Sequence, residues 1–270
     1  MVRKYLSKIY MGLLFLFLYA PIIVLAVFSF NESKSRGNWT GFSFKWYIEL
    51  FQDKDIRQAF YYTITIAIIS AIISTILGTI AAIGINSMKG KTKSIMLNVN
   101  YLPVVNPDIV TGISLMILYV SFNIDFGFNT ILISHIVFNT PYVILSILPK
   151  LKQLDVHMTE AAMDLGATPM YALRKVIIPE IKAGIITGFL MAFTLSIDDF
   201  IISYFTRGEG VTNLSIVIYS MARRGVRPTI NALSTIMLTA VLLLMILINK
   251  RSNGMEKSKK SKKITSEVFK

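Results

Sequence analysis

Three carboxylates stand inside stretches that are otherwise free of charge: Asp108, Asp198 and Asp199. The first lies in NYLPVVNPDIVTGISLMILYV and the pair in GFLMAFTLSIDDFIISYF, and neither run contains a Lys or an Arg. If these runs cross a membrane, each acid costs about 2.5–3.5 kcal/mol on insertion scales, so three cost roughly 8–10 kcal/mol. Such a cost is seldom carried without function. Buried acids without basic neighbours select a cationic solute over an anionic one. Neutralisation by a proton is the plainer alternative for one of the adjacent pair. Successive residues on a helix point about 100° apart, so Asp198 and Asp199 do not both face one narrow path. One faces the solute, and the other bonds Ser196, a backbone amide or a partner subunit. Other chemistry is scarce. The chain has no Cys and only two histidines, His135 and His157, which excludes disulfide frameworks, iron–sulfur clusters and zinc sites built from Cys or His.

The elements that hold these acids are long and apolar. Of 270 residues, 54% are hydrophobic and 16% charged, against about 45–50% and 25% in a soluble domain. Six runs reach a spanning length of roughly 20 residues: 11–30, 60–86, 94–122, 128–149, 183–205 and 230–249. Lipid requires every backbone group to be satisfied internally, so the runs read as helices. The fold class expected is an all-α integral membrane protein with six transmembrane helices. Pro103, Asn106 and Pro107 interrupt the third run. Counting about 1.5 Å per residue from Ser94 and from Lys182 sets Asp108 and Asp198 at similar depth.

The net charge of +13 resolves by compartment. With the N-terminus inside, segments 1–10, 87–93, 150–182 and 250–270 are cytoplasmic and hold 19 of the 28 basic residues. The outer segments hold nine. This bias gives an N-in, C-in topology. Residues 1–10 form the cytoplasmic N-terminus, 11–249 the six-helix domain, and 250–270 a basic, disordered tail beside anionic lipid. That tail lacks interleaved aromatics, so nucleic acid is not expected as a partner.

The cytoplasmic segment 150–182 has structure of its own. Leu154, Met158, Ala161, Ala162 and Leu165 share a helix face over 154–165. Gly166 ends that helix, and Thr168–Pro169 start a second one as N-cap and first residue. Pro179 is expected to break the second helix before the fifth span. Gly90-Lys91-Thr92 lacks the upstream glycine of a phosphate loop and follows a membrane helix, so it binds no ATP.

The string Glu160-Ala161-Ala162-x3-Gly166-x9-Val176-x-Ile178-Pro179 resembles the EAA loop, E-A-A-x3-G-x9-I-x-L-P, of ABC-importer permeases of the binding-protein-dependent type. It departs only by Val for Ile and Ile for Leu. The stretches 44–51, 196–203, 218–221, 225–228 and 230–235 are similar to the polyamine-importing (spermidine/putrescine) permeases of that family, and the likeness covers nearly the whole chain except the tail. The resemblance implies a type I ABC-importer permease fold in a bacterial cytoplasmic membrane. It implies a heterodimer with a second permease subunit, two cytoplasmic ATPase subunits that use ATP and Mg, and an extracytoplasmic polyamine-binding protein. The chain itself would bind no cofactor or metal and perform no covalent chemistry. Glu160, Ala161, Ala162, Gly166 and Pro179 would couple it to the ATPase. Asp108, Asp198, Asp199, Ser196 and Trp46 would line the substrate path. Arg223, Arg224 and Arg227, on an outer segment beside a short surface helix over 214–222, would dock the binding protein. Another small solute is the alternative within this architecture. An intramembrane aspartyl protease using Asp108 and Asp198 is a remote one, because Leu195-Ser196-Ile197 precede Asp198 where such enzymes carry G-x-G-D.

Overall fold

The computed structural model describes residues 2–34, 38–155, 157–224, 228–240 and 242. Among them the chain is helical, with one isolated bridge between Asn31 and Phe42. It divides into a unit of residues 58–217 and a second unit formed from its two ends. The helices are α1 (Val2–Phe28), α2 (Lys45–Gln52), α3 (Lys54–Ser87), α4 (Gly90–Val105), α5 (Asp108–Ser121), α6 (Phe128–Lys152), α7 (His157–Asp164), α8 (Pro169–Ala172), α9 (Ile178–Asp198), α10 (Ile201–Thr206) and α11 (Leu214–Arg224).

Four stretches are long and apolar enough to cross a membrane: Leu6–Phe28, Lys54–Ser87, Phe128–Lys152 and Pro169–Asp198. The third expected run is not one rod. It is α4 and α5, bent by 103°. Proline removes an amide and disfavours helix at the residue before it, and Asn106–Pro107 sits at the bend. The count of residues from Ser94 therefore does not measure the depth of Asp108. The fifth expected run is interrupted as well. α9 ends at Asp198, Asp199 is extended at φ −60° and ψ 124°, and α10 restarts at Ile201. Of the sixth run, residues 230–240 and 242 are described and helical. Residues 243–249 and the tail fall outside the described residues.

The core of the central unit is built by α3, α6 and α9. Ala71, Ala82, Ile85, Val143, Ile144, Ile147, Leu148, Leu151, Ile181 and Ala192 form one buried apolar cluster. Lipid offers helices little hydrophobic reason to associate, so close approach at small residues matters more. Val143 of α6 fits against a glycine on each side. A Cβ at Gly78 would lie 2.7 Å from Val143 Cγ1, and one at Gly188 3.0 Å from the same atom. Gly184 is similarly pressed against Ser146 O at 3.1 Å and Ile147 Cα at 3.2 Å.

The end unit is aromatic. Phe30 stacks on Phe42 with centroids 5.2 Å apart, and Phe44 and Tyr47 close the cluster. Asn31 holds the loop beneath it, donating from Nδ2 to Asn38 O at 2.8 Å and accepting from Thr40 N at 3.0 Å. In α1 no residue of the most apolar stretch of the span Leu6–Phe28 is fully buried within the chain. A helix that is hydrophobic all round needs lipid or another protein against it.

The glycine notch gives a compensation test. Gly78→Ala should lower stability by about 1–3 kcal/mol through overpacking against Val143. Val143→Ala in the same chain should restore most of the loss, read as the thermal unfolding midpoint of the detergent-solubilised protein.

Candidate functional site

Two interrupted helices bring the three acids together. Asp108 is the first residue of α5, Asp198 the last of α9, and Asp199 lies in the gap before α10. Gly112 lets α5 close onto α10: a Cβ there would meet Phe205 Cδ2 at 3.1 Å and Ile201 O at 3.5 Å. Asp108 is consequently within electrostatic reach of Asp199, and the Tyr142 side chain is within reach of Asp108.

The adjacent acids have different surroundings. Asp199 is buried, with 7% of its side chain exposed. Its Oδ1 accepts from Ile202 N at 3.2 Å, and its Oδ2 accepts from Ser203 N and Ser203 Oγ, both at 2.8 Å. It thereby takes up amides freed at the start of α10, as an N-capping acid does. His135 Nε2 of α6 lies 3.4 Å from the same Oδ2 and 2.9 Å from Ser203 Oγ. Asn213 Nδ2 donates to Ser203 Oγ at 2.8 Å and to Asp199 O at 3.0 Å. Ser203 has one proton, which goes to the carboxylate. His135 Nε2 is then the protonated nitrogen, a tautomer assigned from this network. Asp198, by contrast, is exposed, and among the described residues its carboxylate has no ion pair or hydrogen bond to another residue. Asp108 is exposed in the same way.

These placements sort the sequence expectations. Of the options for the second acid, Asp199 takes the backbone amide, and neither acid bonds Ser196. Ser196, expected on the path, is 2% exposed. Its hydroxyl lies 2.9 Å from Ser70 Oγ of α3 and accepts from Asn139 Nδ2 of α6 at 2.7 Å, so it fastens three helices. Asn139 Oδ1 has no partner among the described residues. Trp46, also expected on the path, is 1% exposed and donates from Nε1 to Asn31 O at 2.6 Å. Its ring is spent on fixing α2 to the Asn31 loop. The aromatics that reach a surface beside it are Phe30 and Tyr47, which line an apolar groove of about 390 Å³ with Thr235, Ile236, Thr239 and Ala240.

Sequence reasoning missed His135, Ser203 and Asn213. A signal existed for the first: Thr130, Ser134, His135 and Asn139 recur at helical spacing in an apolar run, and all four are buried. Asn213 and Ser203 meet only through folding.

In segment 150–182, α7 runs His157–Asp164, and Gly166 adopts φ +88°. Gly166 N donates to Met163 O at 2.8 Å and Ala167 N to Ala162 O at 3.1 Å, the paired bonds of a Schellman stop. Thr168 Oγ1 accepts from Tyr171 N at 3.3 Å, with Pro169 next, as the spacing predicts. Pro179 is a correction, because it does not break the chain. Helix continues from Pro169 to Asp198 through a widened π turn at Leu173–Ile177. There Ile178 N bonds Leu173 O, and the shifted ladder accommodates a proline that lacks its own N–H. The second loop helix is thus the N-terminal end of the spanning stretch Pro169–Asp198. Leu165, Met170 and Tyr171 are exposed around this bend. His157 Nδ1 lies 3.1 Å from Glu160 Oε2. That hydrogen bond, then the Glu160 and Asp155 charges, holds the imidazole above the ordinary histidine range.

α11 begins in the interior, with Leu214, Ile216 and Val217 buried, so it is not wholly the surface helix expected. Arg223 is exposed, its guanidinium 5.9 Å from the Tyr219 ring centre. The Arg224 side chain and Arg227 lie outside the described residues.

A family model described as "Binding-protein-dependent transport system inner membrane component" matches residues 74–253. The spermidine/putrescine transport system permease protein PotC of Escherichia coli (strain K12) is 38% identical over 246 residues, 91% of this chain and 93% of that protein. The putrescine transport system permease protein PotI of the same strain is 42% identical over 237 residues, covering 84% and 83%. Among solved structures, a bacterial ABC transporter involved in import of the acidic polysaccharide alginate matches with a TM-score of 0.77 at 15% identity, covering 92% of this chain and 96% of that one. Broken apolar helices, the glycine-stopped bend and these matches agree: the chain belongs to the family of inner-membrane permease components of binding-protein-dependent ABC transport systems.

Proposed function

We propose that this permease subunit imports polyamines, with Asp198 and Asp108 as the carboxylates that meet the ammonium groups. The observation that carries the reading is the pair of exposed acids without hydrogen-bond or ion-pair partners among the described residues, at the breaks of two apolar helices. Asp198 also terminates α9, where helix carbonyls add partial negative charge and favour a cation further. Polyamines alternate ammonium groups with methylenes, which suits carboxylates set in apolar walls. Spermidine and putrescine are the cargo of the PotC and PotI relatives.

The subunit works in six spans, N-in and C-in, paired with a second permease chain. Two cytoplasmic ATPases receive the exposed bend of Glu160, Ala161, Ala162 and Gly166 and close on ATP. An extracytoplasmic binding protein delivers the cargo, with Arg223 and its neighbours Arg224 and Arg227 as docking contacts. The basic tail 250–270 serves as a topology signal at anionic lipid. The continuous helix from Pro169 to Asp198 supports a direct mechanical link: motion imposed on the bend is carried along one rod to the acid at its far end. ATPase closure opens the path outward, the cation enters beside Asp198 and Asp108, and hydrolysis returns the path inward.

A charge-assisted contact contributes about 1.5–3 kcal/mol, so Asp198→Asn or Asp108→Asn should lower uptake of labelled spermidine roughly 10–100-fold in an assembled complex. Unchanged uptake in both variants would remove these acids from the path. In reconstituted complex, Glu160→Lys or Gly166→Val should abolish the stimulation of ATP hydrolysis by loaded binding protein while the permease pair remains intact. Normal stimulation would refute the coupling role. Because the folded-state value of His157 is raised, its charged pairing with ionised Glu160 is complete below the ordinary histidine value and is lost as pH rises through the raised one. The imidazole midpoint, followed by NMR in the full-length protein, should therefore fall when Glu160 is changed to Gln.

A further inference from the structure

We infer that Asp199 is a positioning residue, not a cargo carboxylate: with His135, Ser203 and Asn213 it forms a buried clamp that holds the α9–α10 break open and so aims Asp198 outward. This rests on the proposed role of Asp198 as a cation contact. Four observations support it. Both oxygens of Asp199 are occupied, Oδ1 by Ile202 N and Oδ2 by Ser203 N, Ser203 Oγ and His135 Nε2. The histidine and the acid are 3% and 7% exposed, so a solute would have to displace His135 or Ser203 to reach the carboxylate. Asn213 closes the clamp from the far side. It donates to Ser203 Oγ and to Asp199 O, and it accepts Ile216 N at 3.0 Å, which starts α11. The last carbonyl before the acid pair is also held, since Ser215 Oγ donates to Ile197 O at 3.3 Å. The backbone on either side of Asp198 is thus pinned by Asn213 at Asp199 O and by Ser215 of α11 at Ile197 O, while His135 of α6 and Ser203 of α10 grip the Asp199 side chain. Were the clamp absent, the freed amides of Ile202 and Ser203 would be satisfied most simply by running α9 straight into α10. Residue 198 would then turn with the continuous helix.

A cargo contact and a positioning residue differ in two measurable ways. A contact is sensitive to how many charges the cargo carries, whereas a positioning residue lowers uptake of every cargo by one factor. Residues that act as one unit are also strongly non-additive. In the complete complex, Asp198→Asn should depress uptake of the trication spermidine more than that of the dication putrescine. Asp199→Asn and Ser203→Ala should depress both by the same factor. The Asp199→Asn/Ser203→Ala double variant should fall no more than about twofold below the worse single variant. A second readout does not depend on cargo. The chain has no cysteine, so Asp198→Cys is a unique thiol in this subunit. Its modification by a small methanethiosulfonate should slow about fivefold or more when Ser203→Ala or His135→Leu is added, as expected for residues acting through one network.

Losses that multiply, an Asp199→Asn variant that shifts the spermidine-to-putrescine ratio as Asp198→Asn does, or a labelling rate untouched by Ser203→Ala would each overturn the clamp. An unreactive thiol at 198 in the otherwise unaltered complex would overturn it too. Failure of the complex to assemble with Ser203→Ala, a one-atom deletion, would show that the network supports the whole fold and not position 198, and would also overturn it. Unchanged uptake in Asp198→Asn would reject the cation-path reading by itself, and the labelling arm would still decide the clamp.

Discussion

A helix in hydrocarbon cannot simply stop, because the amides and carbonyls freed at a break cost several kcal/mol each when unpaired. In this protein the break that matters lies between Asp198 and Ile201, and the carboxylate of Asp199 takes up the amides of Ile202 and Ser203 there. A buried acid needs donors of its own, and the Ser203 hydroxyl and His135 supply them. The break and the buried charge each answer the other's requirement. The rest of the site depends on that exchange: α10 can leave the line of α9, α5 can close on it at Gly112, and Asp198 is left as the exposed end of a span.

The same accounting explains why α6 is the central helix. Its C-terminal half carries Val143, which seats against Gly78 of α3 and Gly188 of α9. Its N-terminal half carries Thr130, Ser134, His135 and Asn139, each buried and hydrogen-bonded. Thr130 Oγ1 donates to Thr206 O at 2.8 Å, the Ser134 hydroxyl lies 2.8 Å from Tyr119 OH, and Asn139 reaches Ser196 at 2.7 Å. Glycine notches give shape and the polar seam gives register. Neither depends on a hydrophobic driving force, which lipid largely removes.

The solved relative that imports an acidic polysaccharide has a similar fold. A fold shared with such a transporter carries no information about the sign of the cargo. The bend at the other end of α9 is of a different kind. There the Schellman stop at Gly166 and the π turn at Leu173–Ile177 are local in origin, and they join the bend to the helix that ends at Asp198.

The sequence by itself determined the features that depend on composition and short-range order. Apolar runs of spanning length marked the long helices, since lipid enforces them wherever they occur. Gly166, Thr168 and Pro169 marked the loop geometry, because a positive φ, a hydroxyl cap and a fixed φ are local demands. The EAA spacing and the two charge-poor segments with their acids were equally legible. Only the tertiary structure decided what each polar group does. Asp198 and Asp199 are indistinguishable in sequence, yet one is exposed and the other is enclosed by residues 135, 203 and 213. Trp46 and Ser196 read as path residues in the sequence, and the fold gives them Asn31, Ser70 and Asn139 as partners. Pro179 looked like a helix end until a π turn absorbed it. A side chain's partner in a membrane interior is set by which helices meet and at what height. Ser196 finds Asn139 across 57 residues of chain and Ser70 across 126, separations beyond the reach of any local pattern.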